Sequence, residues 1–168
     1  RAGAEPGQVV IVELTRPPSR DAQPVGRVVR VLGDHGMPGM ETDIAIHSHG
    51  LPFEFSAVAL ADAAAWGSRI PVEAISGRED LRGLDLVTID GEDARDYDDA
   101  VWCERTRSGW RLIVAIADVG HYVPPGSALD AEARERGTSV YFPNRELPML
   151  PEALSNGLCS LTAQVPRL

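Results

Sequence analysis

The feature that most constrains this chain is a block of acid set between two apolar segments. Residues 90–99 hold five Asp, one Glu and one Arg, a net −5 in ten positions, flanked by LVTID (86–90) and AVWCER (100–105). Carboxylates at that density repel one another, and burying them without compensation costs far more than a fold can supply. Any fold must therefore bury the flanking segments while turning the acidic loop toward water, a cleft or a cation. The rest of the composition permits such a core: 43% of residues are hydrophobic and 24% charged, within the globular range. A chain of 168 residues suits one ordinary domain or two small ones. No apolar run reaches the ~20 residues that cross a bilayer, so no membrane association is expected.

Two parts are expected, 1–78 and 79–168. The first opens with β-branched runs at 8–14 (QVVIVEL) and 25–32 (VGRVVRVL), separated by the proline-rich TRPPSRDAQP. A third short run, 43–47 (DIAIH), completes a set of short strands that suits a small all-β barrel or meander. Residues 54–66 (EFSAVALADAAAW) read as a helix from their Ala and Leu content, with Gly67 as its stop. A polar joint at 77–84 leads into the second part. There, 86–90 reads as a strand ending on Asp90. Residues 100–105 and 110–119 read as two strands joined near Ser108-Gly109, the second buried on both faces. Helical composition follows at 129–136 and 152–158. Pro143, Pro148 and Pro151 make the stretch between them loop-like.

The phrase TIDGEDARDYDDAV (88–101) carries the chemistry. Asp90 stands at the expected strand end. In extended backbone Asp96 and Asp98 share one side and Asp99 takes the other, while loop curvature can still gather all four. Carboxylate oxygens are the ligands magnesium prefers, and one or two such ions can activate water and hold a phosphodiester. From the residues alone a merely solvated acidic loop remains open. An EF-hand calcium loop does not, because its Gly and terminal Glu are not at the required offsets.

This phrase resembles the signature of the RNB catalytic domain, found in exoribonucleases of the ribonuclease II and ribonuclease R type. The similarity runs on through WRLIVAIADVGHYVPPGSALDAEARERGTSVYFPNRELPMLPEALSNGLCSL, and the GEDARD and GTSVYFP wording is closer to the bacterial ribonuclease R branch. The GRVVRVLG and IAIHSHGLPFEF phrases are similar to the end of that branch's second cold-shock domain and its connection to the catalytic domain. The resemblance implies an α+β fold: a partial OB-type, cold-shock-like β-barrel followed by the N-terminal α/β portion of an RNB domain. It implies hydrolysis of single-stranded RNA from the 3′ end, processively, to nucleoside 5′-monophosphates, with magnesium as cofactor in the cytoplasm. Carried over by position, Asp90 and Asp99 would be magnesium ligands, Asp96 would support the metal site, and Asp98 would be the residue indispensable for cleavage. Tyr141 would stack on a base near the RNA 3′ end. Without the resemblance, a Tyr in VYFP more often packs in a core. Further catalytic residues of the family, including a phosphate-contacting arginine, would lie beyond Leu168.

Other features are quieter. The net charge of −9 lacks the basic footprint of a nucleic-acid binder, but the acidic block accounts for much of it. All sixteen basic residues are Arg, which reads as genome composition. Cys103 and Cys159 lack CxxC spacing and read as free thiols in a reducing compartment. His47 and His49 read as surface residues. Asp118 fits either a support for the metal site or a turn cap. The LPMLPEALSNGLCSL phrase reads as packing beneath the RNA channel. The opening at Arg1 without Met suggests a piece of a longer protein. Two rivals stand beside the enzyme: an RNA-binding fragment that does not cut, and a structural domain that binds divalent cations without RNA.

Overall fold

The computed structural model describes residues 3–92, 94 and 96–168. It separates into two compact units, residues 1–53 with 142–145, and residues 54–141 with 146–168.

In the first unit, β1 (Gln8–Arg16) and β2 (Val25–Asp34) form an antiparallel pair, with register shifts at Val9/Val10, Ile11/Val12 and Leu14/Arg16. Such irregularities bend and twist a ribbon, as a curled barrel wall needs. The third expected strand is not one: residues 43–47 lie inside α1 (Met40–Ser48). The Ile44/Ile46 alternation suggested a strand, but Met40, Thr42 and Ile46 are the residues the helix buries. Gly39, at φ 86°, turns the chain into it, and a side chain there would collide with Asn144 Nδ2, 2.8 Å from a Cβ. Glu41 and Asp43 sit in the first turn and His47 in the last, which suits the helix dipole. Thr42 Oγ1 donates to Asn144 Oδ1 at 2.8 Å, and Asp43 pairs with Arg145.

The second unit begins with α2 (Ala57–Ala65), capped by Ser56 Oγ accepting from the Ala59 N–H at 3.1 Å and ended at Gly67, φ 67°. This is the helix and stop expected from sequence. After α3 (Val72–Ile75), β3 (Asp99–Arg105) and β4 (Trp110–Ile116) pair antiparallel from Asp99↔Ile116 to Arg105↔Trp110. Next come α4 (Val119–Tyr122), α5 (Ala128–Arg136), the short strands β5 (Val140–Phe142) and β6 (Arg145–Leu147), and α6 (Ala153–Leu158), a wide helical turn kinked at Gly157. The small side chains of Ala59 and Ala63 let α2 approach α5. There they join Tyr122, Leu129, Ala133, Leu150, Leu154 and Leu158 in the core. Trp66 closes the edge of that core, its Nε1 donating to the Tyr122 carbonyl at 2.9 Å.

Three expectations change here. Residues 86–90 do not form a strand: only Val87 pairs, through two hydrogen bonds with Val101 of 3.0 and 2.8 Å. Ile89 is 84% exposed, so burial does not extend the pairing. β4 is not buried on both faces. Trp110, Leu112, Val114 and Ile116 share one face and all are exposed, because nothing among the described residues covers them. Periodicity reports apolar character, and cover has to come from another segment. Finally, the proline-spaced stretch holds β5 and β6, since Pro143 falls at the turn between them, where a fixed φ helps and no N–H is needed.

Candidate functional site

The acidic segment is positioned from three directions. The Val87–Val101 bridge fixes the chain before Asp90 against the chain after Asp99. Next, the Ala117 N–H donates to the Asp98 carbonyl at 2.9 Å, tying the segment to the end of β4. Last, the Tyr97 N–H donates to Ser160 Oγ at 3.1 Å, and the Leu161 N–H donates to the Tyr97 carbonyl at 2.8 Å. Asp96 is half-buried, while Asp90, Asp98 and Asp99 are exposed. Asp99 opens β3 on the same face as Ile116, and Asp98 precedes it on the opposite side.

Asp98 feels the other three carboxylates. The Asp98 carboxyl is held above its ordinary pKa, first by partial burial and then by the charges of Asp96, Asp99 and Asp90. They are not drawn into a finished cage: among the described residues, no three His, Cys, Asp or Glu are placed to hold a metal ion. Asp93 and Arg95, inside the same phrase, lie outside the described residues. The donor chemistry suits magnesium, which keeps water and phosphate oxygens among its ligands and needs few protein ones. Mutual repulsion at Asp98 is the condition a cation relieves.

Tyr141 adjoins this cluster. Its hydroxyl donates to Asp96 Oδ2 at 3.1 Å, while the residue remains 65% exposed. Tyr141 is therefore not a core residue. The hydrogen bond anchors the ring by its polar end and leaves much of the side chain open to a ligand. Burial and Asp96 both raise the phenol's pKa, so the hydroxyl keeps its proton and donates at neutral pH.

The neighbouring groups resolve in simpler ways. Asp118 caps α4, accepting from the His121 N–H at 3.2 Å, and pairs with Arg78 at 2.6 Å. Arg78 holds its carboxyl below the usual range. His49 is exposed, and His47 packs edge-on against Phe53 at 4.9 Å. Cys103 and Cys159 are both free. Sequence reasoning missed Ser160, which it treated as part of a packing phrase. The available signal was a small hydroxyl inside the apolar LCSL run, where a buried oxygen needs a partner.

The sequence profile described as RNB domain matches residues 78–168, and the one described as cold shock domain matches residues 1–56. Ribonuclease R of Escherichia coli is 58% identical over 167 residues, covering 99% of this chain and 20% of that protein. The chain thus spans about a fifth of the length of that curated relative. Among solved structures, Mycoplasma genitalium RNase R in complex with ribose-methylated single-stranded RNA superposes with a TM-score of 0.88 at 30% identity, over 96% of this chain and 25% of that one. Yeast Ssd1, described as a pseudonuclease, superposes with a TM-score of 0.64 at 20% identity, over 93% of this chain and 20% of that one, a likeness of fold alone.

Proposed function

The chain belongs to the RNB domain family, and from that premise we propose that it is part of an exoribonuclease that hydrolyses single-stranded RNA from the 3′ end, processively, to nucleoside 5′-monophosphates. The observation that carries this reading is the Tyr141–Asp96 hydrogen bond, which supports it by joining an exposed aromatic ring to the acidic segment. An RNA 3′ end whose base rests on Tyr141 would present its last phosphodiester to that cluster.

Asp90, Asp96, Asp98 and Asp99 would hold magnesium. When bound, magnesium supplies charge neutralisation at the phosphate and a more acidic water. Asp90 and Asp99 would serve as ligands, one from each end of the segment that the Val87–Val101 bridge closes. Asp96 is oriented by Tyr141. Asp98, crowded by the other three charges, is the carboxylate whose loss stops cleavage. In the first unit, Arg16 and Arg20 lie exposed at the end of the β1–β2 ribbon where the two strands are connected, available to the RNA backbone without strict sequence preference. RNA bound to the Mycoplasma relative supports RNA as the ligand here too. Two free cysteines are consistent with a cytoplasmic setting. Among the described residues, no helix is long and apolar enough to cross a membrane.

A second reading, RNA binding without cleavage, draws on the lack of three converged ligands among the described residues. A 5′-labelled single-stranded RNA incubated with the full-length protein separates the two. The enzyme gives 3′-shortened products and nucleoside 5′-monophosphates with magnesium and none with EDTA. Retarded but intact RNA in both conditions would establish the second reading instead.

A further inference from the structure

We infer that Ser160 is a positioning residue for the acidic site, setting Asp96 and Asp98 through the backbone of the residue between them. This rests on the metal-site reading above. The two peptide groups that flank Tyr97 are each held by the 160–161 segment: the first by its N–H on Ser160 Oγ at 3.1 Å, the second by its carbonyl on the Leu161 N–H at 2.8 Å. In extended backbone the orientation of those two peptide planes decides where the side chains at 96 and 98 project. Of the two bonds, only the Ser160 bond is made by a side chain, so only it depends on residue identity.

The anchor itself is rigid. Ser160 is fully buried. Its N–H donates to the Gly157 carbonyl at 3.2 Å, and its carbonyl accepts from Arg167 Nε at 2.9 Å. The Cys159 N–H donates to the Leu154 carbonyl at 2.8 Å, and Leu154 and Leu158 lie in the core. The core holds the 160–161 segment in place, and the Ser160 hydroxyl is the side-chain link from it to the backbone between Asp96 and Asp98. This gives the LPMLPEALSNGLCSL phrase a chemical role: it supplies the hydroxyl on which the metal-site segment rests.

Partners that orient ligands matter to metal affinity, and losing one typically costs ~10–100-fold. The test uses the full-length enzyme. Mn2+ binding is followed by electron paramagnetic resonance, alongside the magnesium midpoint for hydrolysis and the Tm in EDTA. Ser160→Ala should weaken Mn2+ binding by ~10-fold or more and raise the magnesium midpoint in step, while KM for RNA stays unchanged. Ser160→Cys, which keeps the side-chain connectivity but puts a larger atom and a weak hydrogen-bond acceptor at that point, should fall between, and it serves if the alanine variant does not fold. Leu154→Val, a core deletion in the same segment, should lower the Tm without moving the Mn2+ affinity.

Ser160 variants that bind Mn2+ as the parent does, while Asp98→Asn abolishes binding, would overturn this inference and leave the metal site standing. Leu154→Val weakening Mn2+ as much as Ser160→Ala would also overturn it, by reducing the effect to general destabilisation. Asp98→Asn binding Mn2+ normally would remove the metal-site reading and this inference with it.

Discussion

Replacing Tyr141 tests the proposed RNA platform in a way that separates its ring from its hydroxyl. The side chain is 65% exposed, and its hydroxyl donates to Asp96 Oδ2 at 3.1 Å. Base–aromatic stacking contributes ~1–3 kcal/mol. At ~1.4 kcal/mol per tenfold, Tyr141→Ala should weaken RNA binding by roughly 5- to 150-fold. Tyr141→Phe keeps the ring and gives up one solvent-exposed hydrogen bond. That bond lies within the protein and is not a contact with RNA, so binding should change by no more than a few-fold. The assay is fluorescence anisotropy of a labelled single-stranded RNA on the full-length protein in EDTA, which prevents turnover. Stacking is refuted if alanine binds within twofold of the parent. A phenylalanine variant as weak as alanine would assign the effect to the hydroxyl and Asp96 instead.

Two further outcomes follow from the second unit. Burial, assisted by the charges of Asp98 and Asp118, pushes the Cys159 thiol up to about 11, so almost none of it is thiolate at pH 8. A thiol reagent at pH 8 should label exposed Cys103 quickly in the native protein and reach Cys159 only after denaturation, with Cys159 reactivity rising as pH climbs toward 11. Two equally fast thiols in the native protein would contradict the packing around α6. The Tyr122 hydroxyl is buried with no hydrogen-bond partner among the described residues. A buried polar group left in that state costs ~1–3 kcal/mol, so Tyr122→Phe should leave the Tm unchanged or raise it. A fall of several degrees would show that the hydroxyl is satisfied.

How far the sequence reached depended on whether a signal was local. The Ser56 cap, the alanine-rich run and Gly67 define α2 within a dozen residues, and β1, β2, β3 and α5 were equally self-contained. DIAIH was not, since two isoleucines two apart fit either a strand or one turn of helix, and burial of Met40 and Thr42, outside that window, decided for helix. The exposed face of β4 depends on what lies over it, which no periodicity within 110–116 encodes. Among site residues, the aspartates could be read from a dense and unusual motif. That Tyr141 meets Asp96 across 45 positions could not, because β3, β4, α4 and α5 lie between them and must pack first. Ser160 was hidden for a similar reason: its partner is a backbone N–H 63 residues away.

The central claim is that the acidic segment cleaves RNA, and Asp98→Asn in the full-length protein tests it most directly. RNA affinity and hydrolysis should be measured side by side, in EDTA and in magnesium respectively. The account predicts RNA affinity within a few-fold of the parent, with release of nucleoside 5′-monophosphates abolished. Hydrolysis at the parent rate in that variant would contradict the account, whatever its affinity for RNA.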